Sequence, residues 1–129
     1  MSRGRMPLSE SLRVFLQQRL PSMEQIEVVL LLRRERERSW TAPEVAAALA
    51  TAPESAAMRL FLLASAGVIV FEASSIPRYR YSISDPELED LLAELEKVYD
   101  ADRNQILDVV DTGRRDPVRS FADAFKLKK

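Results

Sequence analysis

Thr41-Ala-Pro-Glu44 is repeated ten residues later as Thr51-Ala-Pro-Glu54, and these two short stretches decide the fold that the sequence predicts. Each is typical of a capping box, in which the Thr hydroxyl accepts from the Glu amide and the Glu carboxylate accepts from the Thr amide. Proline in the first turn costs no hydrogen bond, because those amides have no helical partner. We therefore expect helices over 42–49 and 52–66, joined by so tight a turn that they cross steeply.

The hydrophobic periodicity changes after Gly67. Glycine readily adopts the left-handed conformation that ends many helices. Residues 68–72 are β-branched and aromatic, and residues 78–83 alternate strictly between apolar or tyrosine side chains and polar ones, so both stretches are predicted strands. Upstream, Ser22 is a predicted N-cap for a helix over 23–38. This order predicts a mainly α fold, a winged helix-turn-helix with a three-helix core and a two-stranded β-wing.

The two ends of the chain each add an amphipathic helix. Leu12, Leu16 and Leu20 share one face of a predicted N-terminal helix over 8–20. A long acidic helix is predicted over 86–111, and its heptad-like apolar stripe is longer than so small a core can bury. We expect this stripe to form a homodimer with a second subunit or to fold back on the N-terminal helix. The predicted dimer interface consists of Leu88, Leu92, Leu95, Tyr99, Ile106 and Val109.

Charge divides the chain into four segments. Residues 1–20, an N-terminal arm and helix, have a net charge of +3, and residues 21–84, the winged helix-turn-helix domain, are neutral. Residues 85–112, the long amphipathic helix, have a net charge of −8, and residues 113–129, a basic C-terminal segment, have +4. The net charge of −1 on the whole chain argues against strong nucleic-acid binding, whereas the uneven distribution leaves two basic ends as candidate contacts.

Several classes of activity are disfavoured by residues that the chain lacks. It has no cysteine and no histidine, so it forms neither disulfides nor thiolate zinc sites and lacks the commonest general base. It has no glycine-rich phosphate loop, no serine nucleophile elbow and no DxDxDG calcium loop. We therefore expect a non-enzymatic protein without cofactor or metal. No apolar run fits a signal peptide or a membrane span, so we expect a cytoplasmic protein with no membrane partner.

Residues 45–83 resemble the winged-helix core of bacterial transcriptional regulators of the multiple-antibiotic-resistance type. The residues that carry the resemblance are Ser55-Ala-Ala-Met-Arg-Leu60, then Leu63, Gly67, Val68 and Ile69, then the hairpin. The resemblance implies that helix 52–66 enters the DNA major groove and that the wing, residues 73–80, contacts the DNA backbone. The whole chain also resembles an uncharacterised family of bacterial winged-helix proteins, through Ser22-Met-Glu-Gln-Ile-Glu-Val28 and Pro117-Val-Arg-Ser-Phe-Ala-Asp-Ala-Phe125.

The outward face of helix 52–66 is ambiguous. Ser55, Met58 and Arg59 are the candidate DNA contacts, but only one of them is basic, and Phe61 and Leu62 beside them are apolar. Base edges are read mainly by polar side chains, whereas an exposed apolar face suits a protein partner. Three interpretations stay open: a DNA-binding face, a protein-binding face, or a face covered by the same chain or its dimer mate.

Arg78 and Arg80 are the candidate phosphate contacts of the wing, with Arg3 and Arg5 as additions from the N-terminal arm. Strand alternation puts these two wing arginines on one face and the tyrosines of the same strand on the opposite, core-facing side. The alternative for the arginines is a solvated edge strand that charge protects from pairing with other chains.

Two functions follow from the sequence. The first is a transcriptional-regulator-like homodimer that binds double-stranded DNA through helix 52–66 and wing 73–80. The alternative is a winged-helix protein–protein interaction or adaptor module without DNA binding. The neutral central segment and the apolar side chains at 58, 61 and 62 favour the interaction module, whereas the arginines at 59, 78 and 80 favour DNA.

Overall fold

A computed structural model of the chain describes residues 7–114, with side chains described from 7 to 111. Arg3, Arg5 and nearly all of the basic segment 113–129 therefore lie outside the described residues. The described part is mainly helical with a small antiparallel sheet, which confirms the mainly α prediction. Its elements are Glu10–Arg19 (α1), Met23–Arg34 (α2), Ala42–Leu49 (α3), Pro53–Ser65 (α4), Ile69–Glu72 (β1), Arg78–Tyr81 (β2), Pro86–Ala101 (α5) and Arg103–Arg114 (α6).

The chain divides into two compact units. Residues Ser22–Asp90, which we call the central unit, contain α2, α3, α4, the β-hairpin and the first turn of α5. The other unit combines the described residues before Ser22 with those from Leu91 onward, and in it α1 packs against α6. Within residues 7–114, no single helix is long and apolar enough to cross a membrane, and α3 and α4 reach that length and composition only as a bent pair.

The first predicted capping box forms as expected. The Glu44 amide donates to the Thr41 hydroxyl at 3.3 Å, and the Thr41 amide donates to the Glu44 carboxylate at 2.9 Å. The bond from the Thr41 backbone is the main reason that the pKa of Glu44 lies below its usual value. Helix α3 therefore has a fixed beginning, and it ends at Leu49 as predicted.

The second predicted capping box is wrong. Helix α4 begins at Pro53, and no side chain caps it. The Thr51 hydroxyl donates instead to the carboxylate of Glu24 on α2. A hydroxyl bonded to an ionised carboxylate makes a stronger hydrogen bond than one that accepts from a neutral amide, so a tertiary partner replaces the local one that the motif predicts.

Helices α3 and α4 cross steeply, as the short turn predicts. Their axes differ by 112°, and only residues 50–52 connect them. Ala50 adopts the left-handed conformation with φ of 56°, which a side chain disfavours. The pair packs through buried Val45 and Ala46 on α3 and through Ala56, Leu60 and Leu63 on α4.

The hairpin alternates as predicted. Its register pairs Ile69 with Tyr81 and Phe71 with Tyr79, so these four side chains share one face of the sheet. Tyr79 also forms an antiparallel bridge with Trp40, with both backbone bonds at 2.8 Å. The bridge extends the sheet to the residue before the α3 cap and so ties the hairpin to the helix pair.

The predicted single helix over 86–111 is instead two helices that meet at Asp102. Aspartate favours helix ends because its short polar side chain competes for backbone hydrogen bonds. The predicted dimer interface also needs correction, because Leu92, Leu95, Ile106 and Val109 are buried within the chain and only Leu88 and Tyr99 stay half-buried. The four buried side chains lie in the core of their own chain, and the packing of α1 against α6 agrees with the alternative that this region folds back on the N-terminal helix.

The two left-handed residues of the described chain give a matched test of backbone strain. In Ala50→Gly we expect the free energy of unfolding to rise by about 0.5–1 kcal/mol, since the relieved strain exceeds the entropy cost of glycine. Gly67 has φ of +84°, and an added Cβ would meet no atom within 4 Å. We therefore expect the counterpart Gly67→Ala to lower the free energy of unfolding by about 1 kcal/mol through backbone strain alone. Urea denaturation measures both changes in the free energy of unfolding. If both substitutions changed it in the same direction, the assignment of backbone strain at Ala50 and Gly67 would be contradicted.

Candidate interaction surface

Helix α4 and the hairpin present large apolar side chains to solvent within the central unit. On α4, Met58 is 55% exposed and Phe61 is 61% exposed. On the hairpin, Phe71 is 54% exposed and Ile76 is 53% exposed. With Tyr79, these four residues define what we call the α4–hairpin face. Met58 and Phe61 are therefore not covered by the described residues of their own chain.

The local sequence explains why these side chains point outward. Met58 and Phe61 are three residues apart on α4, on the side opposite the buried Leu60 and Leu63. Phe71 lies on the same face of the hairpin as buried Ile69, but one pleat nearer the turn, beyond the edge of the core. The apolar face of the hairpin therefore continues past the core that it covers.

A groove of about 370 Å³ lies between α4 and the hairpin. The described residues that line it are all uncharged: Phe61, Ala64, Ser65, Phe71 and Tyr79. The Phe71 and Tyr79 rings pack with centroids 5.5 Å apart and planes tilted by 59°, a favourable aromatic geometry that holds one wall in place. Its volume and apolar lining suit one or two apolar side chains of a partner.

The polar DNA candidates on α4 are bound inside the central unit. Ser55 donates to the Glu24 carboxylate at 2.7 Å, and Arg59 Nε donates to the same oxygen at 2.9 Å. Together with the Thr51 hydroxyl, these bonds lower the pKa of Glu24 to about 2, with Ser55 the largest cause. Glu24 is therefore ionised at neutral pH and holds Arg59 in place. Of the three predicted α4 contacts, only Met58 is exposed and without a polar partner.

The predicted phosphate contacts of the wing also face carboxylates. Arg80 Nε lies 2.9 Å from Glu72, whose other oxygen accepts from Ser39 at 2.6 Å. The hydrogen bond from Ser39 is the largest cause, and that from Arg80 the second, that holds the pKa of the Glu72 carboxyl below its usual value. Arg78 donates to the Ser39 carbonyl at 3.4 Å and lies 3.9 Å from the Glu44 carboxylate. The two arginines share one hairpin face, as predicted, but neither is a free cation.

Paired charges are general in the central unit. It contains seven arginines and eleven acidic residues, a net charge of −4. At least six of the seven arginines have a carboxylate within 4.0 Å: Arg33, Arg36, Arg38, Arg59, Arg78 and Arg80. Affinity for DNA comes largely from cations that neutralise phosphates. A net acidic unit whose arginines are paired internally is poorly matched to that task.

A buried polar cluster centres on Arg33, which the sequence analysis does not identify as a core residue. Arg33 is only 8% exposed, and its Nη1 donates to Tyr81 at 2.8 Å and to Glu89 at 2.7 Å. The Tyr81 hydroxyl donates to Glu89 at 2.8 Å. The pKa of Tyr81 is raised to about 12, mainly by burial and secondly by the hydrogen bond to Glu89. In the sequence, Arg33 follows Ile26 and Val29 at helical spacing, and this spacing indicates a position on the buried face of α2.

No family model, curated protein or solved structure matches this chain. The resemblance to winged-helix regulators therefore stays a prediction. Among residues 7–114, no group of three acidic side chains is arranged to hold a metal ion.

The Glu24 bonds predict a pH-dependent loss of stability. Because the pKa of Glu24 is lowered in the folded chain, its contribution is present above about pH 4.5 and is lost as the pH falls toward 2. We expect Glu24→Gln to lower the free energy of unfolding at pH 7 by about 1–3 kcal/mol and to reduce the difference between pH 7 and pH 3. Urea denaturation at both pH values measures this. Glu54→Gln, an exposed glutamate in the first turn of α4, is the control. An equal effect of both variants would contradict the assignment.

Proposed function

We propose that the central unit is a winged-helix protein–protein interaction module, non-enzymatic and without cofactor, which binds a partner through the α4–hairpin face rather than binding DNA. The observation that carries this proposal is the groove of uncharged residues that includes Phe61, with Met58 exposed on the same helix and with the arginines of both elements already paired. Aromatic residues and methionine are enriched at the centres of protein interfaces, where charged residues are depleted.

The order and geometry of the elements support the winged-helix part of the proposal. Three helices are followed by a two-stranded antiparallel hairpin, and α3 and α4 cross at 112° through a short turn. Crossings of roughly 90–120° are typical of the helix-turn-helix. In that arrangement α4 is the helix that would face a ligand, and the hairpin beside it is the wing.

Energetics favour an apolar partner on this face. Docked against DNA, Met58 and Phe61 would lose water without gaining polar contacts to base edges, and Arg59 would have to leave Glu24 before it could reach a base or phosphate. Docked against a protein, a fully buried Phe or Met side chain contributes about 1.5–3 kcal/mol. A few such residues carry most of the energy of a protein interface.

A photo-crosslinking experiment tests the proposal directly. We expect p-benzoylphenylalanine in place of Phe61 to give discrete covalent protein adducts in cells that express the chain, because the face is occupied by a partner. Ala47, an exposed residue of α3, is the matched control site and should give none. Adducts of equal yield at both sites, or none at Phe61, would contradict an interaction through this face.

A DNA-binding regulator is the second candidate. The steep α3–α4 crossing favours it, as do Arg78 and Arg80, whose side chains keep 40% and 38% of their surface exposed. Both arginines would need to exchange their carboxylates for phosphates, which makes this candidate weaker than the interaction module.

Fluorescence anisotropy of a labelled random-sequence duplex separates the two functions. The interaction module predicts no binding by the full chain at about 50 mM salt, because its arginines are paired. Binding that weakens steeply by about 200 mM salt, and that Arg78→Ala/Arg80→Ala reduces, would favour the DNA regulator. The matched control is Arg13→Ala on α1, which lies outside the proposed DNA-binding elements.

A further inference from the structure

We infer that the partner of the α4–hairpin face is the same face of a second copy of this chain, in a two-fold symmetric dimer. This inference rests on the proposed function, since it names the partner of that same surface. It moves the predicted homodimer from the helices of residues 86–111, whose apolar side chains are largely buried in their own chain, to α4 and the hairpin.

Charge makes this face compatible with itself. In a two-fold interface each patch meets an identical patch, so a surface with net charge would repel its copy. The groove lining carries no charge. The arginines of the two elements each lie near a glutamate of their own chain, Arg59 and Arg80 at 2.9 Å and Arg78 at 3.9 Å. Two such faces can approach without bringing unpaired like charges together.

The exposed area matches what a dimer of ordinary size requires. Met58, Phe61, Phe71 and Ile76 are each more than half exposed, and with the walls of the groove they offer roughly 400 Å² of apolar surface per copy. A standard interface buries about 800 Å² per partner, of which roughly 450–500 Å² is apolar. The face therefore supplies most of the apolar contact of a stable dimer.

Other apolar surface in the described chain is smaller. Outside the α4–hairpin face, the large apolar side chains that are exposed among the described residues are Val14 on α1 and Leu107 on α6, each 39% exposed. A patch of several hundred Å² commonly marks an interaction site. A second copy is a partner that is present whenever the chain itself is present, and its occupancy of this patch rises with the concentration of the chain.

Sedimentation equilibrium of the full chain tests the inference. We expect a dimer across about 1 to 100 µM, and we expect Phe61→Glu and Met58→Glu each to raise the dimer dissociation constant by about 100-fold or more, since every dimer carries two copies of the substitution. Both positions are exposed, so far-UV circular dichroism should stay unchanged. Leu107→Glu is the control and should dimerise like the parent chain.

The outcomes separate this inference from the proposed function. A chain that is monomeric over the whole range, or a dimer that both face variants leave intact, overturns the inference. If the chain is monomeric and Phe61 still gives adducts with other proteins in cells, the interaction module stands with a different partner. If it is monomeric and gives no adducts at Phe61, both fail. Disruption by Leu107→Glu alone would place the contact on α6 and overturn the inference as well.

Discussion

The carboxylate of Glu24 on α2 is the contact on which the exposed face of the central unit depends. It accepts hydrogen bonds from Thr51, Ser55 and Arg59, which span the turn before α4 and the first two turns of that helix. Hydrogen bonds to a charged acceptor are stronger than neutral ones, so α4 is fixed in rotation about its own axis. With the polar side toward α2, the side that carries Met58 and Phe61 must face outward.

The same contact decides which chemistry is left at the surface. The polar groups of α4 that could read DNA are the groups that bind Glu24, and the hairpin arginines pair with Glu72 and Glu44 in a similar way. The exposed ion pairs of Arg78 and Arg80 add little stability. Their larger effect is on function, because a cation that already has a carboxylate partner gains less from a phosphate.

The hairpin is positioned by a second polar cluster. Hydrogen bonds of 2.7–2.8 Å join the side chains of Arg33, Tyr81 and Glu89, and Arg33 is buried. A buried ion pair gives little net stability, because the loss of hydration offsets the attraction. The cluster does oppose a shift of one residue in strand register, because such a shift would turn Tyr81 to the other face of the hairpin. Fixing Tyr81 also fixes Tyr79 and Phe71, and so the wall of the groove.

The sequence alone determined the local structure: the Thr41 cap, the helix over 42–49, the left-handed Gly67 and the alternation of the hairpin, because each depends on neighbours a few residues away. It also identified the unusual apolar side chains at 58 and 61. Only the tertiary structure decided that Thr51 binds Glu24, that Arg33 is buried and that the candidate DNA contacts are paired. Apart from the pair of Arg80 with Glu72 across the hairpin, these contacts join residues 27–56 positions apart. A pattern of neighbouring residues does not carry that information, because a carboxylate on another helix can outcompete any local hydrogen bond.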